Sequence, residues 1–150
     1  GGFASRLNEE VREKRGLAYS AYSYLAPLDH AGIIIGGAGT ANARTGETVK
    51  VLRDEWAKMN KSGLTQTELK DAKTYLTGSY PLRFSSSRRI AGMMTGIQLE
   101  KLGLSYIKKR NSYIEAVSLD DVNRVAAKLL DPAKITMVIV GQPKGVTSTP

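Results

Sequence analysis

The stretch EEVREKRGLAYSAYSYLAPLDHAGIIIGGAGT, residues 9–40, runs from charged helix formers through one glycine into two apolar runs split by a polar turn. Ser5 is placed to cap a helix whose apolar positions include Leu7 and Val11. Asn8, Glu9 and Glu10 fall in its first turn, where acidic groups suit the positive end of the helix dipole. Gly16 is where this helix is expected to loosen or end. From Leu17 to Leu28, Tyr19, Ala21 and Ser23 alternate with Ser20, Tyr22 and Tyr24, which reads as a strand stopped by Pro27. LDHAG is a turn, and GIIIGGAGT is a second strand centred on Ile33–Ile35, so the pair is expected to form a hairpin.

Beyond Thr40 helices dominate. Val49, Leu52, Trp56 and Met59 recur three and four apart after Thr45, and the pattern ends at Ser62-Gly63. TQTE, residues 65–68, is a capping box opening a helix that carries Leu69, Ala72, Leu76 and Tyr80, broken or kinked at Pro81. Ser85–Ser87 start a further helix with Ile90, Met93, Met94 and Ile97, interrupted near Gly103, and a segment over 105–117 follows. SLDD caps a last amphipathic helix that Asp131-Pro132 ends, and KITMVIVG reads as a buried closing strand. The expected fold is α+β, a mostly antiparallel sheet with several helices packed on one face. Residues 1–142 form one such domain in this reading, and residues 143–150 a flexible tail. Three strands are few for so many helices, so further strands of the same sheet are expected upstream of Gly1. An edge left open in that way would favour homodimers.

The 150 residues, 41% hydrophobic and 24% charged, are enough for one domain with a real core. No apolar run approaches the roughly 20 residues of a membrane span, and no secretory signal is seen. With no cysteine, disulfides, thiol chemistry and cysteine metal sites are excluded. A net charge of +8 brings nucleic acid to mind. However, the basic residues read as dispersed among acidic neighbours, as in Glu9, Glu10, Arg12, Glu13, Lys14 and Arg15, and no aromatic-and-basic ladder is present. The charge therefore reads as solvated helix faces, with no nucleic-acid partner.

The single histidine, His30, lies in the turn, and neither H-x-x-E-H nor H-E-x-x-H occurs, so no zinc site is expected in this chain. One histidine without Cys or G-x-S-x-G builds no serine or cysteine triad. GGAGTANARTGE matches neither phosphate-loop nor dinucleotide spacing. Arg12 and Tyr19 remain. Were helical geometry to continue through Gly16, the two would share a face roughly 10 Å apart along the axis, at about 1.5 Å per residue. Both side chains can donate hydrogen bonds to peptide carbonyls. A surface arginine beside a half-buried strand tyrosine fits the same spacing, which does not decide between them.

GGFASRLNEEVREKRGLAYSAYS, residues 1–23, resembles the glycine-rich turn and helix in the second half of the pitrilysin/insulinase-type zinc proteases. These are the inverted-motif metallopeptidases, which include bacterial zinc peptidases and mitochondrial processing peptidases. SRL at residues 5–7 is similar to the stretch after the family's glycine turn, and REKRGLAY at 12–19 to its Arg-x6-Tyr signature. The downstream order, including TQTELKDAKTYLTGSYPLRFSSS, extends the resemblance over residues 1–142.

The resemblance implies a pair of homologous halves, or two subunits, closing around a chamber. One half carries zinc on an H-x-x-E-H helix, and the other supplies the arginine-tyrosine pair. This chain, with the pair and without the zinc motif, looks like part of the second kind. Tyr19 and Arg12 would then bind substrate carbonyls beside a zinc held by a homologous domain or subunit, where donors aimed at the oxygen stabilise developing charge. Gly1, Gly2 and Phe3, the remnant of the glycine turn, would contact the peptide substrate. Bacterial relatives point to the periplasm or cell envelope. The alternative from the same ancestry is a non-catalytic structural or assembly subunit, as respiratory-complex core proteins illustrate.

Overall fold

The computed structural model describes residues 6–147. Gly1, Gly2, Phe3 and the Ser5 cap lie outside the described residues. Helix α1, Arg6–Asn8, continues as a π-helical turn, Glu9–Glu13, with Lys14 N donating to Glu9 O at 2.9 Å. The helix ends at Gly16, whose φ of +55° lies in the left-handed region that glycine enters without a Cβ penalty. Gly16 N donates to Arg12 O at 2.8 Å and Leu17 N to Val11 O at 2.8 Å, satisfying two terminal carbonyls.

Strands β1, Ala18–Leu28, and β2, Ala31–Thr40, form the expected antiparallel hairpin across the Asp29-His30 turn. Pro27 does not stop β1. It pairs with Gly32 next to the turn, in a hairpin whose edges are unpaired among the described residues, where its missing N–H is tolerated. Among the described residues the sheet has these two strands only. KITMVIVG does not become a strand: residues 135–140 carry no regular structure, and Val138 and Val140 are 85% and 93% exposed. A strand is completed by a neighbour's N–H and C=O groups, and among the described residues none is paired with this segment.

Four helices follow the expected punctuation. They are α2 (Thr45–Ser62), ended by Gly63 at φ +65°, α3 (Gln66–Gly78), α4 (Ser87–Leu99) and α5 (Tyr106–Ala116). Thr65 and Glu68 make the full capping box, Ser86 caps α4, and Pro81 opens a 3-10 turn over Tyr80–Phe84. Helix α6, Leu119–Leu129, starts where the Asp121 N–H donates to Ser118 Oγ at 3.1 Å. The described architecture is α+β.

The chain divides into two compact units, one running through Gly63 and resuming at Ala126, the other spanning Leu64–Val125. In the first, Val11, Leu17, Ala18 and Ala21 form the core, with Leu7, Ala38, Val51 and Leu52 against it. Residues from the stretch expected to be a tail bond back to the start of α2. Lys144 N donates to Asn42 O at 2.8 Å, and Gly46 N to Lys144 O at 3.0 Å. In the second unit α3 packs on α5, joined by the Lys73 ammonium on Glu115 O at 2.7 Å and the Arg110 guanidinium on Leu76 O at 3.0 Å.

Candidate functional site: a helix end and a strand bulge

Strand β1 starts on a bulge. Ala18 pairs with Thr40, but the next aligned pair is Ala21 with Ala38, so three steps on β1 oppose two on β2. Strict alternation would put Tyr19 on the same face as Ala21. Instead Ala18 and Ala21 are both buried, at 7% and 2% exposure, and Tyr19 is 83% exposed. A bulge re-aims side chains in this way by shifting the period-two pattern by one residue. The extra residue also takes backbone groups out of the ladder. Buried Asn8 meets one of them, its Oδ1 accepting from Ala21 N at 3.1 Å. On the other strand the Thr40 hydroxyl donates to Leu17 O at 2.6 Å, and the Thr48 hydroxyl lies 3.0 Å from Thr40 Oγ1.

Arg12 approaches the same place from the helix. Its guanidinium carbon stands 5.2 Å from the centroid of the Tyr19 ring, within the range of a cation–π contact. Its Nε also lies 3.5 Å from Glu13 Oε1. The structure thus brings Arg12 and Tyr19 together, but not as two steps of one helix. A π turn, a left-handed glycine and a bulge lie between them.

The turn linking them is tied down by charge. Glu10 receives hydrogen bonds from Lys14 at 2.6 Å and from Arg15, which hold its carboxyl down to about 2. The Arg44 guanidinium spans to the turn's last carbonyls, Gly16 O at 2.8 Å and Arg15 O at 3.0 Å. A cation at a helix C-terminus satisfies orphan carbonyls and opposes the negative end of the dipole. Thr40 and Arg44 were not singled out in the sequence, and Asn8 was read there only as a first-turn residue. A signal existed for Asn8, a polar residue wedged between the apolar positions Leu7 and Val11.

Two donors side by side, one exposed to solvent, can bind adjacent acceptor oxygens such as those of an extended peptide. The site does not fit a metal. Among the described residues no group of three or more His, Cys, Asp or Glu could hold an ion, and His30 stays in its hairpin turn. No helix among the described residues is long and apolar enough to cross a membrane.

The family model described as "Peptidase M16 inactive domain" matches residues 1–76, the part holding α1, the hairpin and α2. An uncharacterized zinc protease of Streptomyces coelicolor is 35% identical over 133 residues, covering 87% of this chain and 28% of that protein. A Helicobacter pylori protein named as a non-peptidase homolog is 31% identical over 147 residues, covering 96% of this chain and 33% of its own length. The crystal structure of a peptidase M16 inactive domain from Pseudomonas fluorescens superposes with a TM-score of 0.75 at 34% identity, over 89% of this chain and 32% of that one. The chain spans about a third or less of these relatives.

Proposed function

We propose that this chain, which belongs to the peptidase M16 inactive-domain family, is the substrate-positioning part of a zinc metalloendopeptidase whose metal is held by a homologous domain or subunit. The observation that carries the reading is the approach of the Arg12 guanidinium to Tyr19, which the β1 bulge turns outward. In this reading the Tyr19 hydroxyl donates to the carbonyl at or beside the scissile bond. Arg12 holds a neighbouring carbonyl, and the pair fixes the peptide backbone against the partner's catalytic centre. Donors held in place before the reaction stabilise charge as it develops on the carbonyl oxygen, without reorganising. The residues described here supply no metal ligand set, so every chemical step at zinc belongs to the partner.

The test is reconstitution. Mixed with a zinc-bearing M16 domain, the full chain should create peptide cleavage that neither component shows alone. The relative named as a non-peptidase homolog favours a second reading, a non-catalytic subunit of the same ancestry. That reading gains if the two components form a stable complex that cleaves nothing in a broad peptide library.

A further inference from the structure

The chain's positive charge is not evenly spread. Residues 80–113 hold seven basic residues (Arg83, Arg88, Arg89, Lys101, Lys108, Lys109 and Arg110) and one acidic residue, Glu100. That is +6 of the total +8, so the dispersion read from the helix at residues 9–15 does not describe the whole chain. Five of the six arginines outside this stretch are matched to carboxylates, Arg6–Glu55, Arg12–Glu13, Arg15–Glu10, Arg44–Glu47 and Arg124–Asp121. Among the described residues no carboxylate pairs with Arg83, Arg89 or Arg110.

These three arginines line one open cleft of about 680 Å3 in the Leu64–Val125 unit, together with Glu100. Two are held in place by neutral acceptors. Arg89 Nη1 donates to Ser85 Oγ at 3.1 Å, and Arg110 Nη1 to Leu76 O at 3.0 Å and Asn111 Oδ1 at 3.1 Å. Arg110 also lies over the Tyr80 ring, 4.4 Å from its centroid. For both, the Nη2 and Nε donors have no described partner, and Arg83 is exposed. Guanidinium groups fixed through one edge and open at another are preorganised for planar oxyanions. Met93, Ile97 and Leu102 give the same cleft an apolar wall.

We infer that this cleft binds an acidic peptide segment, with carboxylates on Arg83, Arg89 and Arg110 and apolar side chains on the Met93–Ile97 wall. Nucleic acid fits less well, because two of the cleft's three tyrosines are already engaged and Tyr75 alone, 53% exposed, keeps an open face. Tyr80 is 7% exposed, beneath Arg110 and edge-on to Phe84, and Tyr106 stacks on Tyr113. Base stacking needs free aromatic faces. The inference is independent of Arg12 and Tyr19, and its test involves no proteolysis.

The test is calorimetric titration of the full chain at low ionic strength with the blocked peptide Glu-Leu-Glu-Phe-Glu. Its Gln-Leu-Gln-Phe-Gln counterpart and a short oligothymidylate serve as comparisons. The acidic peptide should bind, the glutamine peptide should bind at least about tenfold more weakly, and added salt should weaken the complex. Arg83→Gln and Arg89→Gln should each weaken it several-fold, while Arg53→Gln, outside the cleft, should not. Arg83 makes no described intramolecular bond, so its variant should keep the fold, which circular dichroism checks. No binding, equal binding of the two peptides, indifference to both substitutions, or binding of the oligothymidylate alone would each overturn the inference.

Discussion

The Arg12 guanidinium carbon lies 5.2 Å from the centre of the Tyr19 ring, and the path between them is neither one continuous helix nor one regular strand. Gly16, at φ +55°, is the hinge of that path, and a Cβ there would meet nothing within 4 Å. Gly16→Ala should therefore cost only the conformational penalty, about 1 kcal/mol. Denaturant unfolding measures it. A neutral result would mean that the turn relaxes to a different backbone.

Asn8 is the acceptor for the Ala21 N–H at the bulge. Asn8→Leu keeps the volume and removes the acceptor, leaving a buried donor unsatisfied, which should destabilise by about 1–3 kcal/mol. Unfolding with unchanged m-value checks the size. The Tyr19 ring resonances should also move, because the bulge holds Tyr19 outward.

The acid limb of stability should depend on Glu10. Its carboxyl lies at about 2, below the ordinary 4.5, chiefly through the hydrogen bond from Lys14 and then that from Arg15. The folded chain then takes up this proton less readily than the unfolded chain. The stabilisation is complete above pH 4.5 and is lost as pH falls toward 2. Glu10→Gln should flatten the stability profile over that window and leave the slope around neutral pH unchanged, as thermal unfolding against pH would show.

The hairpin should promote self-association. Leu25 is 66% exposed, Ile33, Ile34 and Ile35 are 44%, 36% and 37% exposed, and among the described residues both edges of the two-stranded sheet are unpaired. Sedimentation velocity should show concentration-dependent dimers that Ile34→Lys suppresses. A monomer at all concentrations would contradict this.

Local signals in the sequence carried the elements whose chemistry is local. The Thr65–Glu68 capping box, the Asp29-His30 turn and the helix stops at Gly16 and Gly63 all appear where composition places them. KITMVIVG was misread because an apolar run states a preference for a strand but not whether a neighbour will pair with it. Tyr19 was legible as a residue of interest but not as an exposed one. A bulge is decided by the register between strands, here by Ala18 and Ala21 both packing into the core, and no spacing within one strand reveals it. Arg44 was invisible for a similar reason, since its partners, Arg15 O and Gly16 O, lie 29 and 28 residues away.

The most direct measurement is peptide cleavage by the full chain combined with a zinc-bearing M16 domain, comparing wild type with Tyr19→Phe. The substitution removes one exposed hydroxyl and leaves the ring beside Arg12, so the fold and the complex should persist. Loss of the donor should lower kcat by about 10²–10³-fold with little change in KM. A wild-type rate for Tyr19→Phe in the intact complex would contradict the account, leaving Arg12 and Tyr19 as a surface contact at a helix end.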